Sequence, residues 1–460
     1  MNNIAGVSYE AARFDKDGAA LNQQDVRLPQ GTTDVIVASH GWNNTEEQAE
    51  QQLYIPLFTN FAAIASDQLQ NKKIAIVGVI WPSKKFTDVV DAAVAEQTRG
   101  GGAGFGNSST AADETIKAKL DVIATMFDKK AAKKISAAKN QIGKLESDLA
   151  ARRKFVDELR SLLDESAAHE EDNSALFFNL DGSVMLEKLK QPTPLVSSGG
   201  GGGGGAASLG TPRTTTPAGG AAGLGDLFSG IKSGAIRFLN YLAYYEMKKR
   251  AGTVGQKGVG PLLDRLAENV QRVHLVGHSF GCRVVTAAAA TSTTDKLQSM
   301  SLLQAAFSHN GFSKSMNGFF RSVVDNHRIK GPIVITYTPN DRAVGIAYPV
   351  ASRLAGTVAS AFGDANDKFG GLGRNGAQKM EPSEVVQDVD RLLAVGGSYS
   401  WQPGRFHNLE NSRYIIDPKR RRRARVPHGQ RDCSGHQPRD GIAIDFAVME
   451  SCCVQRRICA

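Results

Sequence analysis

The sequence predicts an α/β protein, with a mostly parallel sheet flanked by helices and a long helical segment inserted into it. Residues 33–39 and 73–81 have the apolar composition of buried strands, and the helical stretch 46–65 lies between them, with Pro56 expected to interrupt it. Further along the chain, residues 273–277 form an apolar run that leads directly into a helical pattern. Residues 300–306, 333–338 and 413–416 are the remaining predicted strands, the last of them closing the sheet.

Composition limits the class of protein. The chain has 460 residues, of which 41% are hydrophobic, and its formal net charge is +9. Residues 418–460 hold ten Lys and Arg against four acids, so the rest of the chain is nearly neutral and no nucleic-acid surface is expected on it. No apolar run reaches membrane-spanning length and the N-terminus lacks a secretory pattern. We therefore expect a cytoplasmic protein, with export by a signal-free route as the alternative.

The predicted insertion covers residues 100–192. Residues 111–168 contain no proline and a single glycine, and apolar positions recur at alternating steps of three and four between Ile135 and Leu163, with Arg152 standing on this seam. We expect a long helical hairpin packed on the body, with a lid or an oligomerising coiled coil as alternatives. The predicted division is residues 1–99 and 227–417 for the two parts of the α/β domain, 193–226 for a glycine-rich disordered linker and 418–460 for a basic tail.

The motif at residues 277–281 indicates which reaction the chain could catalyse. It reads Gly-His-Ser-Phe-Gly and stands between a predicted strand and a predicted helix. A serine at such a turn adopts a strained backbone that lifts its hydroxyl clear of the sheet, and the flanking glycines avoid clashes with neighbouring elements. The pattern predicts Ser279 as a nucleophile that attacks a carbonyl carbon.

Two further groups are needed to activate a serine: a histidine that takes its proton and an acid that orients the histidine. Asp341 follows the predicted strand 333–338 and is the candidate acid, with a plain turn residue as the alternative interpretation. The base is expected after the last strand, where His428 is the first candidate and His436 the alternative. Asp325 and His407 are weaker candidates because each precedes its strand.

Two backbone N–H groups are expected to form the oxyanion hole. One is that of Phe280, the residue after the nucleophile, and the other is that of Trp42, with Gly41 shaping the loop after the first core strand. The alternative is that Trp42 only covers the sheet edge. We expect His40, His278 and Cys282 to be structural.

The last forty residues do not resemble the end of an α/β domain. Residues 420–423 are four consecutive arginines, and four of the five cysteines lie after residue 432 at spacings that do not suit zinc. One hypothesis is a slip of reading frame near Pro418, which would leave the chain without its true base. The other is a genuine basic tail that binds anionic lipid or nucleic acid.

Taken together, these residues resemble the lipase and esterase side of the α/β-hydrolase superfamily, and more closely a set of poorly characterised bacterial α/β hydrolases. The similarity rests on the segments 40–43, 247–255, 277–281, 302–306 and 406–409 with Asp341, in an arrangement that covers about half of the chain. The resemblance implies hydrolysis of acyl esters or amides through Ser279 and Asp341 without a metal or an organic cofactor.

The predicted function is therefore that of a serine hydrolase that cleaves carboxylic esters, lipid acyl esters among them, through an acyl-enzyme on a Ser-His-Asp triad. Its expected partner is a small-molecule or lipid ester, with a membrane surface as a further candidate. The alternative is a catalytically inactive hydrolase scaffold that acts as an interaction protein through its insertion.

Overall fold

The computed structural model describes residues 2–21, 26–65, 72–83, 108–164, 169–172, 174–190, 230–341, 369–386, 391–394 and 397–415. These residues form an eight-stranded sheet with helices on both faces, in the strand order β1-β2-β4-β3-β5-β6-β7-β8. The strands are β1 (Asn2–Ile4), β2 (Val7–Arg13), β3 (Asp34–Ser39), β4 (Ile74–Ile80), β5 (Arg272–His278), β6 (Leu297–Leu303), β7 (Ile333–Tyr337) and β8 (Phe406–Glu410). The predicted α/β class with a mostly parallel sheet is confirmed, since all these pairings are parallel except that of β1 with β2.

The first two strands were not among the predicted elements. They form a hairpin whose turn residues Ala5 and Gly6 have φ of 49° and 85°. Two successive residues with positive φ are typical of the two-residue turn that matches the twist of paired strands. The hairpin extends the sheet beyond β4 and places β2 beside it in parallel.

Successive side chains of β3 point alternately into the cores on the two faces of the sheet, so the strand is buried on both faces. Val35 and Val37 belong to the core on one face, and Ile36 and Ala38 to the core on the other, all four being at most 1% exposed. A strand buried on both faces needs apolar side chains at every position, which is the pattern read from the sequence.

The helices divide between the two faces. The helices are α1 (Glu46–Ala49), α2 (Ile55–Ala65), α3 (Ser108–Ala124), α4 (Ala131–Lys139), α5 (Leu149–Arg160), α6 (Ala175–Asn179), α7 (Gly182–Leu189), α8 (Ile231–Thr253), α9 (Gly260–Ala267), α10 (Phe280–Thr291), α11 (Arg321–Asp325) and α12 (Leu372–Asn375). Residues of α2 pack in one core, whereas residues of the insertion pack with α8 and α10 in the other. No described helix is long and apolar enough to span a lipid bilayer.

Two prolines stand inside helical stretches without ending them. A π turn, Glu50–Tyr54, precedes Pro56, and another, Val254–Val259, precedes Pro261. Proline lacks an N–H and its ring clashes with the carbonyl four residues earlier, and a wider turn relieves that crowding. The predicted interruption at Pro56 is therefore a widening of the helix, after which α2 continues to Ala65.

The insertion differs from the expected long hairpin or coiled coil. Its described residues form the short helices α3 to α7, and seam residues such as Ile135 and Leu159 are buried in the same core as the sheet. Arg152 explains one break, because its guanidinium donates to the carbonyl of Leu145 at 2.6 Å and closes the turn before α5. Leu149, a seam position, is 53% exposed. With Leu149 as an exception, the heptad pattern reflects burial of the apolar seam residues in the core that they share with the sheet.

The last strand also differs from the prediction. β8 covers Phe406–Glu410, whereas residues 411–415 form a turn in which the Asn411 carbonyl accepts from the N–H groups of Tyr414 and Ile415. The glycine-rich segment and the basic tail lie outside the described residues, and the division into domains stays a prediction.

Candidate active site

Ser279 occupies the turn between β5 and α10, at the carboxyl edge of the sheet. Its φ is 54° and its ψ is −120°, a conformation that costs a non-glycine residue on the order of 1–3 kcal/mol. Main-chain bonds to the end of β6 hold it there: Ser279 N–H donates to Leu303 O at 3.0 Å, and Ala306 N–H donates to Ser279 O at 3.1 Å. The residue is partly exposed.

The flanking glycines are required by close contacts. A Cβ on Gly281 would lie 2.0 Å from the carbonyl oxygen of Ser39, and one on Gly277 would lie 2.4 Å from the Cα of Cys282. Neither distance is sterically allowed. The strand–turn–helix arrangement expected around Ser279 is therefore present, with glycines where the backbones approach.

The loop after β3 passes directly against Ser279. A Cβ on Gly41 would lie 2.8 Å from the Cβ of Ser279 and 3.1 Å from the carbonyl oxygen of His278. The next residue, Trp42, packs its ring against that of Phe280. The structure thus brings together the three residues predicted for the oxyanion hole, while the role of each stays a prediction.

Two residues that the sequence did not single out hold this loop. The hydroxyl of Tyr54, which is fully buried, accepts from His40 N–H at 2.8 Å and lies 2.7 Å from Val79 O, to which it donates. Beyond β4, Ser83 O accepts from Asn43 N–H at 2.8 Å. A tyrosine in a helical pattern and a serine after a proline carry no distinctive signal, so only the tertiary contacts reveal this role.

His40 and His278 flank Gly41. The His40 ring stacks on Trp81 with centroids 5.6 Å apart, and its Nδ1 lies 2.9 Å from Gly41 O, to which it donates. Burial lowers the pKa of both His40 and His278 to about 4, so both rings are neutral at pH 7. Cys282 is fully buried, and burial raises the pKa of its thiol well above the ordinary value, as suits a core residue.

Asp341 lies at the same edge of the sheet, two strands from Ser279. It follows β7 in a turn where its N–H donates to Thr338 O at 3.0 Å, and it is partly exposed. Because β5, β6 and β7 are parallel neighbours, their carboxyl ends all face this edge. The residue is part of a turn, as the alternative interpretation held, and its role as the acid stays a prediction.

The two predicted bases are not among the described residues. His428 and His436 lie outside them, and no described histidine makes a hydrogen bond with the Ser279 hydroxyl. His407 lies within β8, where its Nε2 accepts from Gln402 N–H at 3.1 Å and burial lowers its pKa to about 4. The chain after β8 runs beside the turn of Asp341, since Asn340 Nδ2 donates to Ile415 O at 2.8 Å.

A 3₁₀ turn of the insertion, Glu170–Asp172, contacts α8, which in turn contacts the helix that follows Ser279. Asp172 forms a buried ion pair with Lys248 of α8. The Lys248 carbonyl in turn accepts from Arg283 Nε at 2.9 Å, and Arg283 lies one helical turn after Ser279. The insertion is therefore linked to the nucleophile helix through two contacts.

The neighbouring carboxyl group, that of Glu171, is fully buried and accepts from Phe319 N–H at 2.6 Å through Oε2. Its Oε1 finds no partner among the described residues. Burial and the nearby charge of Asp172 raise the pKa of Glu171 to about 7, although Lys248 and Arg283 oppose the shift. This acid is consequently poised to titrate near neutral pH.

Within the described ranges, no three His, Cys, Asp or Glu side chains gather as a metal site would require. Comparison with known proteins finds no matching family model, no similar curated protein and no similar solved structure.

Proposed function

We propose that this chain is a serine hydrolase of the α/β-hydrolase type, which cleaves carboxylic esters through an acyl-enzyme on Ser279. One observation carries the proposal: a partly exposed serine with φ of 54° between a buried strand and a helix. A strained serine at such a turn has no evident benefit for folding, whereas it presents a hydroxyl to a substrate carbonyl.

The surroundings of Ser279 supply donors for the charge that develops on the carbonyl oxygen. Phe280 is the first residue of α10, so its N–H has no acceptor within the helix. The close approach of Gly41 to Ser279 supports Trp42 N–H as the second donor. Two such donors stabilise the tetrahedral intermediate more than they stabilise the substrate.

The acid and the base of the proposed triad are assigned from their positions along the chain. Asp341 would orient a histidine, with His428 as first candidate and His436 as second, and the histidine would take the Ser279 proton and return it to the leaving alcohol. The same histidine would then activate water to release the acid. The contact between Asn340 and Ile415 supports this assignment, because it brings the chain that leads to these histidines next to Asp341.

A fluorophosphonate probe tests the proposal directly, since it phosphonylates activated serines. We expect the full chain to be labelled and Ser279→Ala to lose labelling. Ser161→Ala removes an exposed serine after α5 and should keep labelling unchanged. A series of esters of increasing acyl length would then define the substrate, with short and long chains compared at equal concentration.

An inactive scaffold that works as an interaction protein is the second candidate. It applies if the residues after 415 supply no histidine to Ser279. It predicts a folded chain that reacts with neither probe nor ester. Labelling that survives Ser279→Ala would contradict the assignment of the nucleophile.

A further inference from the structure

We propose that Tyr54 is a positioning residue for the oxyanion hole, acting through the loop 40–44. This inference rests on the proposed function, because it concerns the donor supplied by Trp42. The hydroxyl of Tyr54 bonds to the main chain of His40, Ala38 and Val79, and it acts through the main chain that leads to Trp42.

The hydroxyl of Tyr54 joins the ends of two parallel strands. It accepts from His40 N–H at 2.8 Å, lies 2.7 Å from Val79 O and lies 3.1 Å from Ala38 O. His40 and Tyr54 are both fully buried, so water cannot replace these bonds. One phenol thus fixes the point at which β3 ends and the loop toward Trp42 begins.

The sequence around Tyr54 places the hydroxyl at this point. Tyr54 is the last residue of the π turn that precedes Pro56, and π turns often occur at functional sites. The ring lies over Gly78 of β4, where a Cβ would come within 2.9 Å of its Cε2 atom. The proline, the widened turn and the glycine together let the phenol reach the edge of the sheet.

Loss of the hydroxyl has a specific consequence. Tyr54→Phe leaves the buried N–H of His40 without an acceptor, and that group can recover a partner only by movement of the loop. Trp42 N–H lies two residues further on, and a donor to the oxyanion acts mainly in the transition state. We therefore expect a lower kcat with a nearly unchanged KM.

Tyr9 offers a matched control. Its ring lies 6.2 Å from that of Tyr54, it also packs on Gly78, and it is 4% exposed. Its hydroxyl, however, donates to Glu50 Oε1 at 3.0 Å, at the start of the π turn instead of in the loop. Tyr9→Phe removes one buried phenol hydroxyl from the same core without removing the acceptor for His40.

The experiment compares the wild-type chain, Tyr54→Phe and Tyr9→Phe by amide hydrogen exchange of residues 40–44 and by steady-state hydrolysis of a short p-nitrophenyl ester. Tyr54→Phe should raise exchange at residues 40–42 and lower kcat about tenfold or more, with KM within about twofold, given that loss of one oxyanion donor costs about 100- to 1,000-fold. Tyr9→Phe should leave the exchange at residues 40–42 and the kcat close to their wild-type values.

Equal effects of the two variants, or unchanged exchange and kcat in Tyr54→Phe, would overturn the positioning role. A wild-type chain that neither hydrolyses the ester nor reacts with the fluorophosphonate probe would overturn the proposed function instead. In that case hydrogen exchange alone still decides whether Tyr54 holds the loop.

Discussion

The indole ring of Trp42 meets the phenyl ring of Phe280 edge-on, with centroids 5.6 Å apart and planes at 81°. Each ring belongs to one of the two proposed oxyanion donors, and the ring of Tyr244 contacts both, at 6.5 Å and 5.4 Å. The side chains therefore tie the loop after β3 to the start of α10.

Removing the ring contact between Trp42 and Phe280 should lower kcat by more than a loss of folding stability would explain. Trp42→Leu keeps the backbone N–H but loses the ring pair, which is worth about 0.5–1.5 kcal/mol beyond area burial. We expect a kcat about tenfold lower on a short ester. Phe61→Leu breaks a similar edge-on pair with Phe58 on the opposite face of the sheet and should lower the melting temperature with kcat retained.

Gly41→Ala should disable the nucleophile through steric displacement. The new methyl group would lie 2.8 Å from the Cβ of Ser279, so one of the two backbones must shift. We expect the rate of fluorophosphonate labelling to fall at least tenfold. Gly143→Ala is the control, because its Cβ meets nothing within 4 Å, and it should leave labelling intact. Equal labelling rates in both variants would show that the close approach is unimportant.

Stability should depend on the titration of Glu171. Its pKa rises from an ordinary 4.5 to about 7 in the folded chain, so the folded state holds the proton more tightly than the unfolded state. The free energy of unfolding therefore falls as the pH rises through this range.

Urea unfolding at pH 5 and pH 8 measures this effect when the wild-type chain is compared with Glu171→Gln. The difference between the two chains isolates Glu171 from His169, Asp172, Lys248 and Arg283, whose charges influence the same region. We expect the variant to be the more stable chain at pH 8 and to lose that advantage at pH 5. A difference that does not change with pH would contradict the assignment.

The ion pair between Asp172 and Lys248 should behave as a buried unit. Lys248→Met leaves a buried carboxylate without its cation, and we expect a loss of about 3–5 kcal/mol in the free energy of unfolding. Adding Asp172→Asn removes that uncompensated charge and should recover much of the loss. A double-mutant cycle with strictly additive effects would indicate that the two groups do not interact.

The sequence by itself determined the class of the fold and the position of the strained turn at Ser279, the proposed nucleophile. Short, largely apolar runs rich in β-branched residues are typical of strands buried on both faces, which is why β3, β4, β5 and β7 were predictable. The spacing of Gly277, Ser279 and Gly281 expresses a local steric requirement, so the turn could be read before any contact was known.

Contacts between distant parts of the chain were decided by the tertiary structure alone. The heptad-like pattern of the insertion indicated burial correctly but not its partner, because one apolar stripe can face a second helix or the existing core equally well. Tyr54 and Glu171 carry no sequence signal for their surroundings. Their roles depend on His40 and Phe319, 14 and 148 residues away, and only the folded chain brings those groups within hydrogen-bond distance.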